Sequence, residues 1–202
     1  MILECLKVGP LETNCYVFAD EKTKDAVVID PGAEPERILT TIKDNALKVK
    51  HIALTHGHWD HVQALGEIKV ATDAHIMIHE LDADSLRNPL KSLACLFGIE
   101  KTQPSADRLL EDNDTFMVGT YKVTVIHTPG HTPGGVCFLV DDILFSGDTL
   151  FKDGYGRTDL PGGDYETLIH SITEKLVTLS ENTLVYPGHG ESTTIGHEKQ
   201  NF

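Results

Sequence analysis

The chain of 202 residues carries 31 acidic and 17 basic side chains, which gives a formal net charge of −14 at pH 7. A surface of that sign repels phosphate backbones and anionic lipid headgroups, so we expect neither nucleic acid nor a membrane as a partner. Hydrophobic residues make up 40% of the chain, enough for a buried core. No apolar run reaches the roughly 18 residues that a membrane-spanning helix needs.

The N-terminal half alternates strand-like runs with turn signals. Hydrophobic periodicity predicts a helix from Glu34 to Ala46, with Ile38, Leu39 and Ile42 on one stripe. Residues 82–107 are mostly polar and contain two prolines, so we expect a loop or short helices near a substrate entrance. Strands are predicted for the runs ILECLKV, TNCYVFAD, DAVVID, VKHIALT and AHIMIH.

The C-terminal half continues the same alternation. Asp164 is predicted to cap a helix that runs to Leu179 and turns its leucines and Ile172 inward. Because strands dominate both halves and helices lie between some of them, we expect two packed sheets with helices outside, in one domain that spans residues 1–202. Strands are predicted for the runs YKVTVIH, GVCFLV, ILFSGD and TLVYPG.

The compartment is predicted from the N-terminus and the cysteines. The segment MILECLKVGP has neither a cationic start nor a long apolar stretch, so it predicts no export signal. The four cysteines, Cys5, Cys15, Cys95 and Cys137, are scattered and form no CxxC pair. This usage is typical of reduced thiols, and we therefore expect a cytoplasmic protein.

The segment THGHWDH, residues 55–61, gathers three histidines and an aspartate at the end of a predicted strand. Neutral imidazole and carboxylate are good ligands for zinc, iron and manganese. In an extended segment, His56 and His58 point the same way, so they can close on one ion while Asp60 and His61 turn to another. The alternative, surface histidines in a polar turn, is disfavoured because this spacing rarely arises by chance.

Further ligand candidates follow three other predicted strands. His131 lies in HTPGHTPGG, Asp148 in FSGDTLF and His189 in YPGHGE, each where a strand emerges into a loop. Reactive groups on a rigid scaffold commonly occupy such positions. A single histidine beside a glycine is as readily a turn or capping residue. Together with THGHWDH, however, these positions supply five histidines and two aspartates, which predicts a metal centre.

The motifs THGHWDH, PGHTPGG, SGDTLF and PGHG together resemble the metallo-β-lactamase superfamily over residues 2–199. The runs GRTDLPGGD and GHGESTTIGHEK are similar to those of short glyoxalase II-like (hydroxyacylglutathione hydrolase-like) hydrolases. The resemblance implies an α+β fold, a four-layer αβ/βα sandwich of two mixed sheets packed face to face with helices outside. By position, it also implies that His56, His58 and His131 hold one metal, that Asp60, His61 and His189 hold a second, and that Asp148 bridges them.

The resemblance further implies a metal-dependent hydrolase that acts on a thioester such as S-lactoylglutathione. Two divalent ions, zinc first and iron or manganese as alternatives, can share a hydroxide that attacks the carbonyl carbon. Asp60 and Asp148 are then the predicted catalytic residues. The thiolate leaving group has a free pKa near 8.5, so little acid assistance is needed.

Two residues near Asp148 are candidate substrate contacts. Arg157 can bind a substrate carboxylate through its guanidinium, or it can pair with Asp159 or Asp164 and brace the site. Tyr155 can line the pocket or pack as a surface aromatic. Full-length glyoxalase II carries a helical C-terminal extension that helps to bind glutathione, and we expect no such extension here.

Several alternatives remain open from the sequence. A mononuclear-iron persulfide dioxygenase of the same superfamily would use only His56, His131 and Asp148, a two-histidine-one-carboxylate set. A hydrolase of another acyl substrate would use all seven candidates. A non-enzymatic metal scaffold is disfavoured by the complete ligand set, and an RNA nuclease by the acidic charge. The residues do not specify the native metal, the physiological substrate or the oligomeric state.

Overall fold

Two six-stranded sheets form the centre of the computed structural model, which describes residues 1–202. The first sheet holds six strands, hydrogen-bonded in chain order: β1 (Ile2–Val8), β2 (Thr13–Ala19), β3 (Asp25–Ile29), β4 (Lys48–Ala53), β5 (His75–His79) and β6 (Arg108–Leu110). Strands β1 to β3 pair antiparallel and β3 to β6 pair parallel, so this sheet is mixed.

The second sheet is built from the rest of the chain and is also mixed. Its neighbours pair antiparallel, except for one parallel pair between the strands Ile143–Gly147 and Leu184–Pro187. Its strands are β7 (Thr115–Val118), β8 (Tyr121–His127), β9 (Val136–Val140), β10 (Ile143–Gly147), β13 (Leu184–Pro187) and β14 (Thr193–Thr194), and a small hairpin of β11 (Leu150–Phe151) and β12 (Gly154–Tyr155) lies between β10 and β13 in the chain.

Five α-helices and three helical turns of other types connect the strands. The helices are α1 (Pro35–Asp44), α2 (Trp59–Val62), α3 (Leu65–Thr72), α4 (Tyr165–Ser171) and α5 (Ile195–Glu198). Two 3₁₀ turns cover Glu80–Leu86 and Ala94–Phe97, and a π-helical turn over Ile172–Leu176 continues α4. None of these helices combines the length and apolar character that crossing a bilayer requires.

Alternating side chains on each strand divide the core into layers. On β2, Tyr16 and Phe18 point between the sheets, where they meet Phe138 and Phe145 of the second sheet. Val17, which lies between them in the strand, faces the opposite way and packs with residues of α1 and α3. On the far side, residues of α4 and α5 pack against the outer face of the second sheet. The order helix, sheet, sheet, helix confirms the predicted four-layer sandwich.

The observed structure after Asp164 differs from the predicted helix in its second half. The Asp164 side chain caps the helix by accepting a hydrogen bond from the Thr167 amide at 2.8 Å, as expected. The regular helix nevertheless ends at Ser171, and the Val177 amide bonds the Ile172 carbonyl five residues back. The predicted helix to Leu179 is therefore wrong in its last part, because the chain widens into a π turn while still burying its apolar stripe.

Removal of the Phe18 side chain tests the packing between the sheets. Phe18 is fully buried and meets Tyr121 and Phe145 edge to face. We expect Phe18→Ala to lower the free energy of unfolding by about 3–5 kcal/mol, measured by urea denaturation. The matched control, Met117→Ala on the half-exposed face of β7, should change it by less than about 0.5 kcal/mol. Equal losses in the two variants would contradict the assigned core.

Candidate metal centre

All seven predicted ligand candidates meet at one end of the two sheets. His56 and His58 follow β4, and Asp60 and His61 lie in α2 directly behind them. The second sheet contributes the other three from loops after its strands, namely His131 after β8, Asp148 after β10 and His189 after β13. Each side chain therefore emerges from a strand end or the turn that follows it, as expected for a site held by a rigid scaffold.

His56, His58 and His131 form a first cluster whose ring nitrogens converge. His58 Nδ1 lies 3.1 Å from His56 Nε2 and 3.0 Å from His131 Nε2. In a tetrahedral zinc site with zinc–nitrogen bonds of about 2.0–2.1 Å, ligand nitrogens lie about 3.3 Å apart. The observed separations are close to that value, so the three imidazoles can hold one ion.

Asp60, His61 and His189 form a second cluster beside the first. Asp60 Oδ2 lies 3.4 Å from His61 Nε2 and 3.2 Å from His189 Nε2. Like the first cluster, this group offers one donor atom per residue, all within 4.8 Å of one another. A second ion therefore has three ligand candidates of its own.

Asp148 lies between the two clusters. Its Oδ2 is 3.5 Å from His131 Nε2 of the first cluster and 3.7 Å from His189 Nε2 of the second. Its Oδ1 is 3.4 Å from His61 Nε2. A carboxylate in this position can contribute a ligand atom to each of two ions.

Two buried atoms at the site lack hydrogen-bond partners. His61 Nε2 and Asp148 Oδ1 are both enclosed, and neither forms a hydrogen bond. A buried polar atom without a partner costs about 1–3 kcal/mol, more when the group is charged. A cation between these facing lone pairs removes that cost, so the residues present fit a metal ion.

In three of the histidines, a hydrogen bond at the ring nitrogen that faces away from the site orients the ring. His131 Nδ1–H donates to the Arg157 carbonyl at 2.7 Å, and His189 Nδ1–H donates to the Leu11 carbonyl at 3.1 Å. On the other side of the site, His56 Nδ1 contacts Thr55 Oγ1 at 3.1 Å. This pattern leaves the Nε2 lone pairs facing the site, where metal-binding histidines present them.

Asp30 joins Thr55 to His61 through hydrogen bonds. Its carboxylate accepts from the Thr55 amide at 2.8 Å, the Thr55 hydroxyl at 2.6 Å and His61 Nδ1–H at 3.0 Å. Asp30 follows β3 directly, in the turn DPG. Its positive φ of 50° agrees with a turn, and its contacts also fix the ring of His61.

Burial and neighbouring charge set the protonation of the site. Burial and the adjacent histidines hold the pKa of His56 well below its ordinary value, and burial lowers that of His58 to about 3. Burial acts the same way on His61, but the carboxylates of Asp60 and Asp148 outweigh it and raise the pKa of His61. His56 and His58 are therefore held in the neutral form, while His61 attracts positive charge.

Two glycines allow the loops to approach closely. A Cβ on Gly188 would lie 2.2 Å from Asp148 Oδ1 and 2.8 Å from His61 Cε1, and one on Gly147 would lie 2.4 Å from Thr55 Oγ1. Gly147 also has a φ of +50°, which side chains disfavour. The glycines before Asp148 and His189 in the sequence motifs thus leave the space that the ligand candidates occupy.

Asp82 is a supporting residue that sequence reasoning missed. It lies in the first 3₁₀ turn and is buried, with 2% of its surface exposed. Its carboxylate accepts from the Gly57 amide at 3.0 Å, the Gly134 amide at 2.8 Å and the Thr132 hydroxyl at 2.8 Å. It therefore ties the loop that carries His56 and His58 to the loop that carries His131.

Arg157 and Tyr155 lie at the mouth of the site. The Arg157 guanidinium binds Asp159 through two hydrogen bonds of 2.8 and 2.6 Å, which is the bracing arrangement considered from the sequence. Tyr155 is partly exposed and lies beside Tyr165. Both residues line a cavity of about 400 Å³ that opens over Asp60, Asp148 and His189.

With this geometry, comparison with known proteins identifies the class. The profile of the metallo-beta-lactamase superfamily matches residues 8–189, and the chain belongs to that superfamily. Its relatives include a probable metallo-hydrolase, YqgX of Bacillus subtilis, 40% identical over 94% of this chain and 90% of the relative. They also include the hydroxyacylglutathione hydrolase GloC of Haemophilus influenzae, 38% identical over 99% of this chain and 96% of the relative.

Solved structures give the same fold. The B3 metallo-beta-lactamase BLEG-1 is 38% identical with a TM-score of 0.93, covering 98% of this chain and 97% of its own. ETHE1 from Myxococcus xanthus is 33% identical with a TM-score of 0.84, covering 99% and 82%. TTHA1623 in a di-iron-bound form is 36% identical with a TM-score of 0.85, covering 98% and 97%. The chain is thus a member of a metal-binding hydrolase superfamily, and its similarity to a hydroxyacylglutathione hydrolase confirms the resemblance noted from the motifs.

Removal of the Asp82 carboxylate tests its role behind the first cluster. Asp82→Ala leaves three donors without an acceptor and frees the two loops from each other. We expect metal affinity to fall by about 10–100-fold, measured by equilibrium dialysis with zinc. Asp84→Ala, on the exposed side of the same turn, is the control and should bind zinc like the parent protein. Unchanged affinity in Asp82→Ala would show that the loops hold their positions without it.

Proposed function

We propose that this protein is a two-metal hydrolase of thioesters, with zinc as the metal and S-lactoylglutathione as the type of substrate. The single observation that carries this proposal is the position of Asp148 within 3.7 Å of histidine nitrogens from both clusters. In the proposal His56, His58 and His131 hold the first ion, Asp60, His61 and His189 hold the second, and Asp148 binds both.

The chemistry follows from that arrangement. When bound, two divalent ions supply a hydroxide nucleophile at neutral pH and polarise the substrate carbonyl. Asp60 and Asp148 offset part of the positive charge, while the Nδ1–H bonds keep the histidine rings fixed. The leaving thiolate is stable near neutral pH, so no side chain has to donate a proton to it.

The cavity over the clusters suits a small thioester. Its walls include Trp59, Phe97, Phe151 and Leu160, which exclude bulk water and strengthen electrostatic contacts at the site. Trp59 and Phe97 lie against each other, with ring centroids 4.3 Å apart. Arg157 is the cationic residue of this wall, and in the proposal it meets a polar group of the substrate by exchanging its partner Asp159.

A second candidate is the mononuclear-iron persulfide dioxygenase considered from the sequence, which would use only His56, His131 and Asp148; His131 Nε2 and Asp148 Oδ2 lie 3.5 Å apart. Under that function, the second cluster has no ligand role. The convergence of Asp60, His61 and His189 beside the shared carboxylate supports the hydrolase instead.

Metal content and an activity panel distinguish these functions. The hydrolase predicts two metals per chain, measured by elemental analysis, and thiol release from S-lactoylglutathione. The dioxygenase predicts one iron per chain and oxygen uptake with a glutathione persulfide. Thiol release from other thioesters alone would place the protein among hydrolases of a different acyl substrate.

Replacement of Asp148 tests the shared ligand. We expect Asp148→Ala to retain at most one metal per chain and to lower kcat/KM for thioester hydrolysis by at least about 100-fold, since it removes a ligand atom from each ion. Asp142→Ala is the matched control, because Asp142 is exposed just before β10 and its side chain lies away from the site. Two metals and full activity in Asp148→Ala would rule out the two-metal mechanism.

A further inference from the structure

A second cavity, of about 550 Å³, adjoins the metal centre on the side of the segment 81–97. Its volume falls within the range of about 300–1,000 Å³ that is typical of small-molecule sites. It shares His58, Leu93 and Leu96 with the cavity over the clusters. A molecule whose reacting carbonyl lies at the metal centre can therefore extend into this second space.

The walls of this second cavity are mainly apolar. They include Leu81, Leu90, Leu93 and Leu96 from the segment 81–97, and Pro133 and Pro161 from two loops opposite. Leu81, Leu90 and Leu96 expose 60%, 70% and 68% of their surface, although large aliphatic side chains are usually buried. Three exposed leucines around one cavity beside a reactive centre indicate a surface that an apolar ligand covers.

The charged groups of the cavity are already paired. Lys91 Nζ lies 2.8 Å from Asp84 Oδ2, and the Asp82 carboxylate is engaged by its three donors. Lys91 is the one lysine or arginine among the lining residues, and Asp84 offsets its charge. Arg157 lines the neighbouring cavity and not this one.

We propose that the second cavity binds the acyl arm of the substrate, so that the preferred substrates are thioesters of apolar, medium-length acyl groups. This inference rests on the proposed thioester hydrolysis and names its substrate class. In a thioester such as S-lactoylglutathione the charged groups are on the thiol arm, which fits the cavity that contains Arg157. The acyl arm is neutral and fits the leucine-lined cavity, which a lactoyl group leaves largely unfilled.

A chain-length series tests the proposal. Acetyl, butanoyl, hexanoyl and octanoyl thioesters of N-acetylcysteamine share one small neutral thiol, so the series does not depend on glutathione recognition. We expect kcat/KM to rise about threefold to fourfold per added methylene until the cavity is filled, which corresponds to about 0.8 kcal/mol for each buried CH₂. A flat or falling profile, with hydrolysis intact, would overturn the proposal.

A charged variant tests whether the preference for longer acyl chains arises in this cavity. Leu90→Lys places an unpaired cation in the wall and should remove most of the gain from acetyl to octanoyl, while acetyl hydrolysis stays near the parent value. Val70→Lys is the matched control, because Val70 is 87% exposed on α3 and lies outside both cavities. An equal loss in both variants would show that the preference does not arise in this cavity.

Binding without turnover separates this inference from the proposed function. S-alkyl thioethers of N-acetylcysteamine cannot be hydrolysed, and their affinity for the zinc-loaded protein can be measured by calorimetry. We expect affinity to rise with alkyl length, with a negative heat-capacity change that marks apolar burial. If no thioester is hydrolysed but this trend appears, the proposed reaction fails and the apolar site stands. If affinity is independent of length, the site fails whatever the reaction.

Discussion

Five imidazoles and two carboxylates crowd into one largely buried site, and the balance of charge among them is the constraint on which this end of the molecule depends. His61 Nε2 and Asp148 Oδ1 face each other at 3.4 Å without hydrogen bonds. Water cannot offset the desolvation of such groups once they are enclosed. A cation between them satisfies both lone pairs, and the nearby carboxylates of Asp60 and Asp148 favour positive charge at this point.

The sandwich meets this constraint by distributing the ligand candidates over both sheets. His56 follows a strand of the first sheet and His131 follows a strand of the second. The site therefore forms only when the two sheets are packed against each other. Asp82 joins the two loops directly through the Gly57 and Gly134 amides. The aromatic core between the sheets therefore supports the site geometry, and a loss of packing there is transmitted to the spacing of the ligand nitrogens.

The sequence predicted those parts of the fold and site that depend on local pattern. THGHWDH was recognisable because its residues are adjacent, and His131 and His189 because glycine-rich turns mark their strand ends. Asp82 was not predictable, since its partners Gly57 and Thr132 lie 25 and 50 residues away in the chain. Helix α3 escaped prediction because LGEIKVAT is short and buries only Leu65 and Ile68. The order of strands in each sheet is likewise a long-range property.

The acidic surface and the metal centre are electrostatically complementary. Two bound dications would add four positive charges to a chain of net charge −14, next to the carboxylates of Asp60 and Asp148. The negative net charge of the protein thus favours the binding of cations at this site. In the proposal, an uncharged acyl arm enters the leucine-lined cavity without disturbing its ion pair, whereas a carboxylate there would compete with Asp84 for Lys91. The proposed preference for neutral acyl groups thus has an electrostatic basis as well as an apolar one.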